Sequence, residues 1–331
     1  MSKELAAEPE EEKLAKIEQE PLVTILTPTY NRKEYLPKLY RSLHAQDSDR
    51  WMWLIVDDGS TDGTPEIVQK WEKENPEKVH YLRKENGGKH TALNLGIETI
   101  RTPLTFIVDS DDTLLPDAVR TIEKYNSEYE SQREKENLCG FSFLRINDKG
   151  EVNAGEYARD NTIGTYAELR INAGDTGDKA EVFYTSVLKK FPFPVFYGER
   201  FLPEDAVWMA MSGEYRLVFA NRKIYVCDYH DGGLTKTGRY MKIYSPLGMM
   251  YRSAVYLNSP QLKNTKVKLK MLILYQVYMR FAREKYGFKT QKDFEQAGIP
   301  PFHAGILWTI LYVPTYFVFR KWAGQYGNEQ K

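Results

Sequence analysis

Apolar runs and amphipathic stretches alternate from residue 21 onward. Leu22–Thr27 (LVTILT) is short and rich in β-branched residues, and it predicts a buried strand. Leu36, Leu39, Tyr40 and Leu43 then fall at helical spacing, and Asn31 followed by Glu34 predicts a capping box. Trp51–Val56 (WMWLIV) predicts a second strand. Thr64 with Pro65 opens a second helix that carries Ile67, Val68 and Trp71 on one face. Lys78–Leu82 predicts a third strand, and Leu93, Ile97 and Ile100 mark a third helix. Leu104–Val108 predicts a fourth strand, with Asp112 or Thr113 placed to cap a helix through Ala118, Val119 and Ile122. This rhythm predicts an α/β fold, a parallel sheet with helices on both faces.

The strands run into polar loops of particular composition. Open α/β sheets bind ligands outside the carboxyl ends of their strands. One edge would therefore gather Pro28 and Tyr30, the Asp57-Asp58 pair, Gly87-Gly88-Lys89, and Asp109-Ser110-Asp111. A tyrosine ring can stack on a base, and a carboxylate can accept from a base or ribose. A Gly-rich turn with lysine can meet phosphate. Closely spaced carboxylates suit Mg²⁺ or Mn²⁺ rather than Zn²⁺. Each feature has a plainer reading: Tyr30 packed on the first helix, Asp57-Asp58 closing a turn, Lys89 in solvent. Together they describe a nucleotide-diphosphate site.

PTYNR at 28–32, VDDGSTDGT at 56–64, NGGKHTALNLGI at 86–97 and VDSDD at 108–112 resemble, in order and spacing, the family 2 glycosyltransferases of the GT-A fold. The resemblance covers about Leu22 to Leu234. It implies a Rossmann-like, mostly parallel central sheet flanked by helices. It also implies a nucleotide-sugar donor (UDP-sugar favoured), a divalent Mn²⁺ or Mg²⁺ ion, inversion at the anomeric carbon and a cytoplasmic active site. Carried over by position, Tyr30 is expected beside the base, Asp58 with Asp57 on base or ribose, Asp109 near the ribose, and Asp111 on the metal with Asp109 as a second ligand. Lys89 and Asn94 fall in the donor-site segment. PEDAVW at 203–208 supplies Glu204 and Asp205, with Asp205 expected as catalytic base. His230 is a candidate to complete the metal site, and Arg239 to meet the diphosphate.

Two other readings stay open at this point. Asp109-Ser110-Asp111-Asp112-Thr113 also fits the D-x-D-x-T string of haloacid-dehalogenase-type phosphohydrolases, with Asp109 and Asp111 as the working pair. A non-catalytic glycan-binding module is the other.

Composition adds a division of the chain. Net charge is zero, but residues 240–331 hold 14 Lys/Arg against 4 Asp/Glu. The expected layout is an acidic tail at 1–20, a catalytic domain at 21–239 and a basic helical extension at 240–331. Within the domain, 21–115 forms the nucleotide half and 116–239 the acceptor half. Within segment 299–321, Ile299–Phe319 carries no Asp, Glu, Lys or Arg, is interrupted by Pro300, Pro301 and Pro314, and runs into Arg320 and Lys321. It predicts a segment lying in a membrane interface beside anionic lipid rather than a span. Cys139 and Cys227 form no disulfide or metal spacing, which suits a reducing compartment. The expected setting is cytoplasmic and peripheral to the inner face of the membrane. The expected acceptor is a glycan or lipid-linked sugar, with no nucleic-acid partner. Residues 140–202 contain no readable motif.

Overall fold

The computed structural model describes residues 20–153, 155–175, 177–227, 234–302 and 305–326. In chain order the first half runs β1 (Val23–Thr29), α1 (Leu36–His44), β2 (Trp51–Asp57), α2 (Thr64–Glu74), β3 (Val79–Arg83), α3 (Lys89–Thr99), β4 (Leu104–Ile107), β5 (Thr113–Leu114) and α4 (Ala118–Tyr129). The second half runs β6 (Leu138–Ile146), β7 (Thr162–Gly164), β8 (Lys179–Tyr184), α5 (Thr185–Leu188), α6 (Asp205–Met211) and β9 (Arg216–Val226). Five helices close the described chain: α7 (Leu234–Tyr244), α8 (Pro246–Asn258), α9 (Thr265–Tyr286), α10 (Gln291–Gln296) and α11 (Gly305–Tyr326).

One sheet joins all the strands in the order β3-β2-β1-β4-β8-β6-β9-β5, with β7 on β9. β3, β2, β1 and β4 are mutually parallel, as the strand–helix rhythm requires. β8 then pairs antiparallel with both β4 and β6. Every residue of β1 is buried, which explains its apolar run: a central parallel strand is covered on both faces. The register aligns Thr29 with Asp57 and Leu26 with Ile107, so the β1, β2 and β4 loops leave the sheet at one edge. The core of Ile25, Trp53, Ile55, Leu104 and Phe106 is fully enclosed.

Two local expectations are corrected. The first helix begins at Leu36, and the Tyr35 side chain does not cap it. Asn31 instead adopts a left-handed φ of 52°. Its Oδ1 accepts from the Thr61 amide at 2.8 Å and its own amide donates to Ser60 Oγ at 2.8 Å, so it ties two loops together. Likewise no helix starts at Asp112 or Thr113. Thr113–Leu114 pairs with Val226 and Tyr225 of β9, and the helix starts at Ala118.

The C-terminal extension is helical, as expected. Asn264 Oδ1 caps α9 by accepting from the Val267 amide at 3.2 Å, and Gly287 ends it with φ of 72°. α11 continues through Pro314 instead of breaking there. A polar seam joins the two helices. Gln276 donates to the Trp308 carbonyl at 2.8 Å, Arg280 to the Tyr312 carbonyl at 2.7 Å, and Thr315 to Gln276 at 2.8 Å. No described helix is long and apolar enough to cross a membrane.

At Gly140 in β6, φ is 149° and a Cβ would lie 2.0 Å from the Val182 carbonyl oxygen of β8. Gly140→Ala is expected to cost at least about 1–3 kcal/mol from backbone strain. Gly213→Ala, where the nearest atom is 3.4 Å away, is the control. Thermal melting of the two variants checks this, and equal melting points would refute it.

Candidate active site

The shared sheet edge opens into a cleft of about 1120 Å³. Pro28, Tyr30, Asp58, Lys89, Asp109, Ser110 and Asp111 all line it, so most of the residues predicted for the donor do meet in space. Tyr30 stands 47% exposed at its wall, available to stack rather than packed into the core.

The two acids after β2 divide the work. Asp57 is fully buried and accepts from the Ser60 amide and the Tyr81 hydroxyl, each at 2.7 Å. It shapes the turn and does not reach the cleft. Asp58 accepts from the Gly87 amide at 2.9 Å, the Gly88 amide at 2.7 Å and Lys84 Nζ at 2.8 Å. Its carboxylate therefore fixes the Gly-rich turn from below. Gly88 has φ of 95°, and a Cβ there would sit 2.0 Å from the Arg200 carbonyl oxygen. Only glycine lets this turn touch the opposite wall.

That turn delivers Lys89 to the start of α3. Its Nζ lies 2.5 Å from Asp109 Oδ1 and 2.6 Å from Glu204 Oε1. Burial alone would lower the ammonium's pKa, but the two carboxylates outweigh it and the group stays firmly protonated. Asp109 has a second cationic neighbour in Arg145 of β6, at 3.9 Å. Burial would raise the Asp109 carboxyl, yet Lys89 and Arg145 hold it below the usual carboxylate range. Arg145 also lies 3.8 Å from Asp112, and its guanidinium packs 4.1 Å from the Tyr225 ring centroid. The Tyr225 hydroxyl donates to Asp112 at 2.7 Å and accepts from the Asp109 amide at 3.0 Å. Asp112 is thus a buried brace for the acidic loop.

Asp111 differs from its neighbours. It lines the cleft, and no described residue bonds or pairs with its carboxylate. Among the described residues no three His, Cys, Asp or Glu side chains gather into a metal cage. Mg²⁺ and Mn²⁺ are commonly held by one or two carboxylates plus phosphate and water. The donor set here suits a cation that arrives with a diphosphate. Asp109, expected as a second ligand, is already occupied by Lys89 and Arg145. His230 lies outside the described residues.

The remaining expected residues lie elsewhere. Asn94 exchanges two 2.8 Å bonds with the Phe193 backbone, clamping α3 to the loop after α5, away from the cleft. Arg239 is exposed on α7 and packs 5.2 Å from the Trp322 ring of α11. Asp205, at the start of α6, is gripped by Arg252 of α8, with Nε at 2.7 and 2.9 Å and Nη2 at 2.5 Å. The Tyr256 hydroxyl donates to it at 2.8 Å. Burial would raise its carboxyl, but Arg252 more than offsets this and holds it below the ordinary value.

Three contributors carry no local sequence signal. Arg145 is a lone arginine in a strand. Glu199 accepts from the Leu247 and Gly248 amides, each at 2.8 Å, and so caps α8 while lining the cleft. Lys285 of α9 donates to the Gly198 carbonyl at 2.9 Å and the Tyr244 carbonyl at 2.7 Å. A pairing of basic residue with distant carbonyl, or of acid with distant helix start, is visible only once the fold is known.

Residues 24–132 match a family model described as Glycosyl transferase family 2. TuaG of Bacillus subtilis, a glycosyltransferase named for teichuronic acid biosynthesis, is 37% identical over 37% of this chain and 46% of its own length. The poly(ribitol-phosphate) beta-N-acetylglucosaminyltransferase TarS of Staphylococcus aureus is 32% identical over 32% of this chain and 19% of its own. The chain thus spans less than half the length of these relatives. Among solved structures, S. aureus TarS 1-349 in complex with UDP-GlcNAc superposes with a TM-score of 0.55 at 18% identity, covering 84% of this chain and 81% of that one. The mannosyltransferase PcManGT from Pyrobaculum calidifontis, in complex with GDP-Man and Mn²⁺, gives 0.52 at 17% identity, covering 94% and 88%. The expected GT-A architecture is therefore the observed one.

Two predictions follow from the Gly-rich turn and the helix behind it. Gly88→Ala is expected to abolish nucleotide binding, because the Arg200 wall must move; unchanged titration with a nucleoside diphosphate would refute this. His90 of α3 is buried with no partner for Nδ1, and burial pushes its pKa down to about 4 despite nearby Asp58. A folded-state value below the unfolded value of about 6.5 means the unfolded chain binds the proton more readily. That stability is present above pH 6.5 and is lost as pH falls towards 4. Between pH 7 and pH 5 the loss at this residue should be roughly 1–2 kcal/mol. Urea unfolding at both pH values should show a smaller difference in His90→Asn than in the parent.

Proposed function

We propose that this chain, which carries a family 2 glycosyltransferase domain at residues 24–132, moves a sugar from a nucleoside-diphosphate donor to a glycan or lipid-linked hydroxyl with inversion. The observation that carries the reading is the Asp111 carboxylate, without a partner among the described residues, in the cleft that Tyr30 and the Lys89–Asp109–Arg145 cluster also line. UDP-sugar is the favoured donor, supported by the fold shared with a UDP-GlcNAc-bound relative. The matches to glycosyltransferases leave the phosphohydrolase reading of Asp109 and the binding-module reading without support.

In this mechanism Tyr30 stacks on the base. Asp58 presents the Gly87-Gly88 turn, and Lys89 and Arg145 offset part of the carboxylate charge where the diphosphate lies. Asp111 would hold a divalent ion, which supplies charge neutralisation for the leaving diphosphate. No protein acid is then needed on that side.

The acceptor hydroxyl must lose its proton as it attacks the anomeric carbon. We assign that proton to Asp205, which stands off the cleft wall beside the Lys89-held Glu204 and is only partly buried, with Arg252 and Tyr256 fixing its rotamer as positioning residues. An arginine-held carboxylate is a weak base at rest, and the hydroxyl becomes acidic only as its bond to carbon forms. Glu204, held by Lys89, ties the acceptor side to the donor side.

Calorimetric titration with UDP, GDP and CDP, with Mn²⁺ and after chelation, tests the donor class. Metal-dependent binding of one nucleotide is expected, and Asp111→Asn should lose the metal-dependent part; binding of none would overturn the reading. Asp205→Asn should keep donor affinity while transfer falls by ~10²–10⁴-fold, the usual scale for a general base. Removing one partner of a buried ion pair can cost about 3–5 kcal/mol, so Asp205→Asn/Arg252→Gln serves as the fold control. An active Asp205→Asn alongside an inactive Glu204→Gln would transfer the base role to Glu204.

A further inference from the structure

The described chain exposes eleven large apolar side chains, and seven of them belong to one helix, α11. Ile306 is 77% exposed, Ile310 59%, Val313 62% and Phe317 67%. At 3.6 residues per turn these four form one stripe. Thr315 and Phe319, on the opposite side, are buried against α9. α11 is therefore apolar around its circumference, with only one face covered by protein. A helix of that kind belongs in a protein core or in lipid.

What surrounds the open stripe indicates which. Gly305–Tyr326 contains no acidic residue, and Arg320 and Lys321 are exposed at its end. α9, on which α11 packs, starts with exposed Lys266, Lys268 and Lys270, and Lys263 precedes them, also exposed. An apolar stripe on a helix that ends in arginine and lysine, packed on a helix that begins with lysines, matches an anionic bilayer surface, where the stripe enters the acyl boundary and the cations meet headgroups. Since no described helix is fit to cross a membrane, the helix would lie flat.

We infer that the open face of α11 is a docking surface for an anionic phospholipid bilayer. The position of α7 gives this surface a link to the cleft. Tyr240, Met241 and Tyr244 of α7 line the cleft, while Arg239 of the same helix packs on Trp322 of α11. Two helices, α7 and α11, then separate the cleft from the headgroups.

Co-sedimentation of the full chain with phosphatidylcholine vesicles, with and without phosphatidylglycerol, tests the inference. Binding is expected to the phosphatidylglycerol vesicles, weakening as salt rises. Ile310→Glu/Val313→Glu/Phe317→Glu should reduce it at least tenfold with unchanged circular dichroism and melting point. Lys266→Glu/Lys268→Glu/Lys270→Glu should reduce it while leaving the apolar stripe intact. Absence of parent binding to anionic vesicles overturns the inference, as does full binding by the Ile310/Val313/Phe317 variant. A stable dimer in light scattering that this variant dissociates, with no vesicle binding by the parent, would show instead that a second copy covers the face.

Discussion

The ammonium of Lys89, held between Asp109 and Glu204, is the interaction that makes two half-sites into one. Asp109 leaves the sheet just after β4, within the residues the family model matches. Glu204 precedes α6, beyond them. A single positive charge between two carboxylates fixes their separation more tightly than two independent loops could. It also explains why the Gly87-Gly88 turn is so crowded. The lysine must emerge at one height, so the turn is pinned by Asp58 from below and pressed against Arg200 from the side.

The same economy runs through the cleft's outer wall. Glu199 holds the start of α8, and Lys285 ties Gly198 to Tyr244, so the loop between Val195 and Phe201 rests on the C-terminal helices rather than on the sheet. The helical extension is in this sense part of the candidate site. Its residues close the cleft on the side away from the strand ends.

How much of this was legible beforehand depended on how local the cause is. β1, β2 and β4 are buried parallel strands, and their apolar runs announce them directly. The donor-side loops were readable because glycines and acids follow those strands at short range. Asn31 misled because its side chain bonds to the loop after β2, thirty residues on, instead of to its own helix. Thr113 and Leu114 form a strand only because β9 arrives beside them from more than a hundred residues away. Arg145, Glu199 and Arg252 were silent for the same reason: each is defined by a partner remote in sequence. The basic, apolar C-terminal stretch was read correctly as helix, but Pro314 did not break it. Gln276 and Arg280 of α9 bond the Trp308 and Tyr312 carbonyls in the two turns before the proline.

That last seam has a practical consequence for anyone handling the protein. The greasy outer stripe of α11 invites trimming of the C-terminus to improve behaviour in solution. Yet the inner face of the same helix roofs Tyr275, Tyr278 and Phe281 and answers the buried polar groups of Gln276 and Arg280. Cutting it away would exchange one sticky surface for another and strand a guanidinium in the process. A better-behaved version is reached by recolouring the outer stripe with charge, one side chain at a time, while the roof stays on.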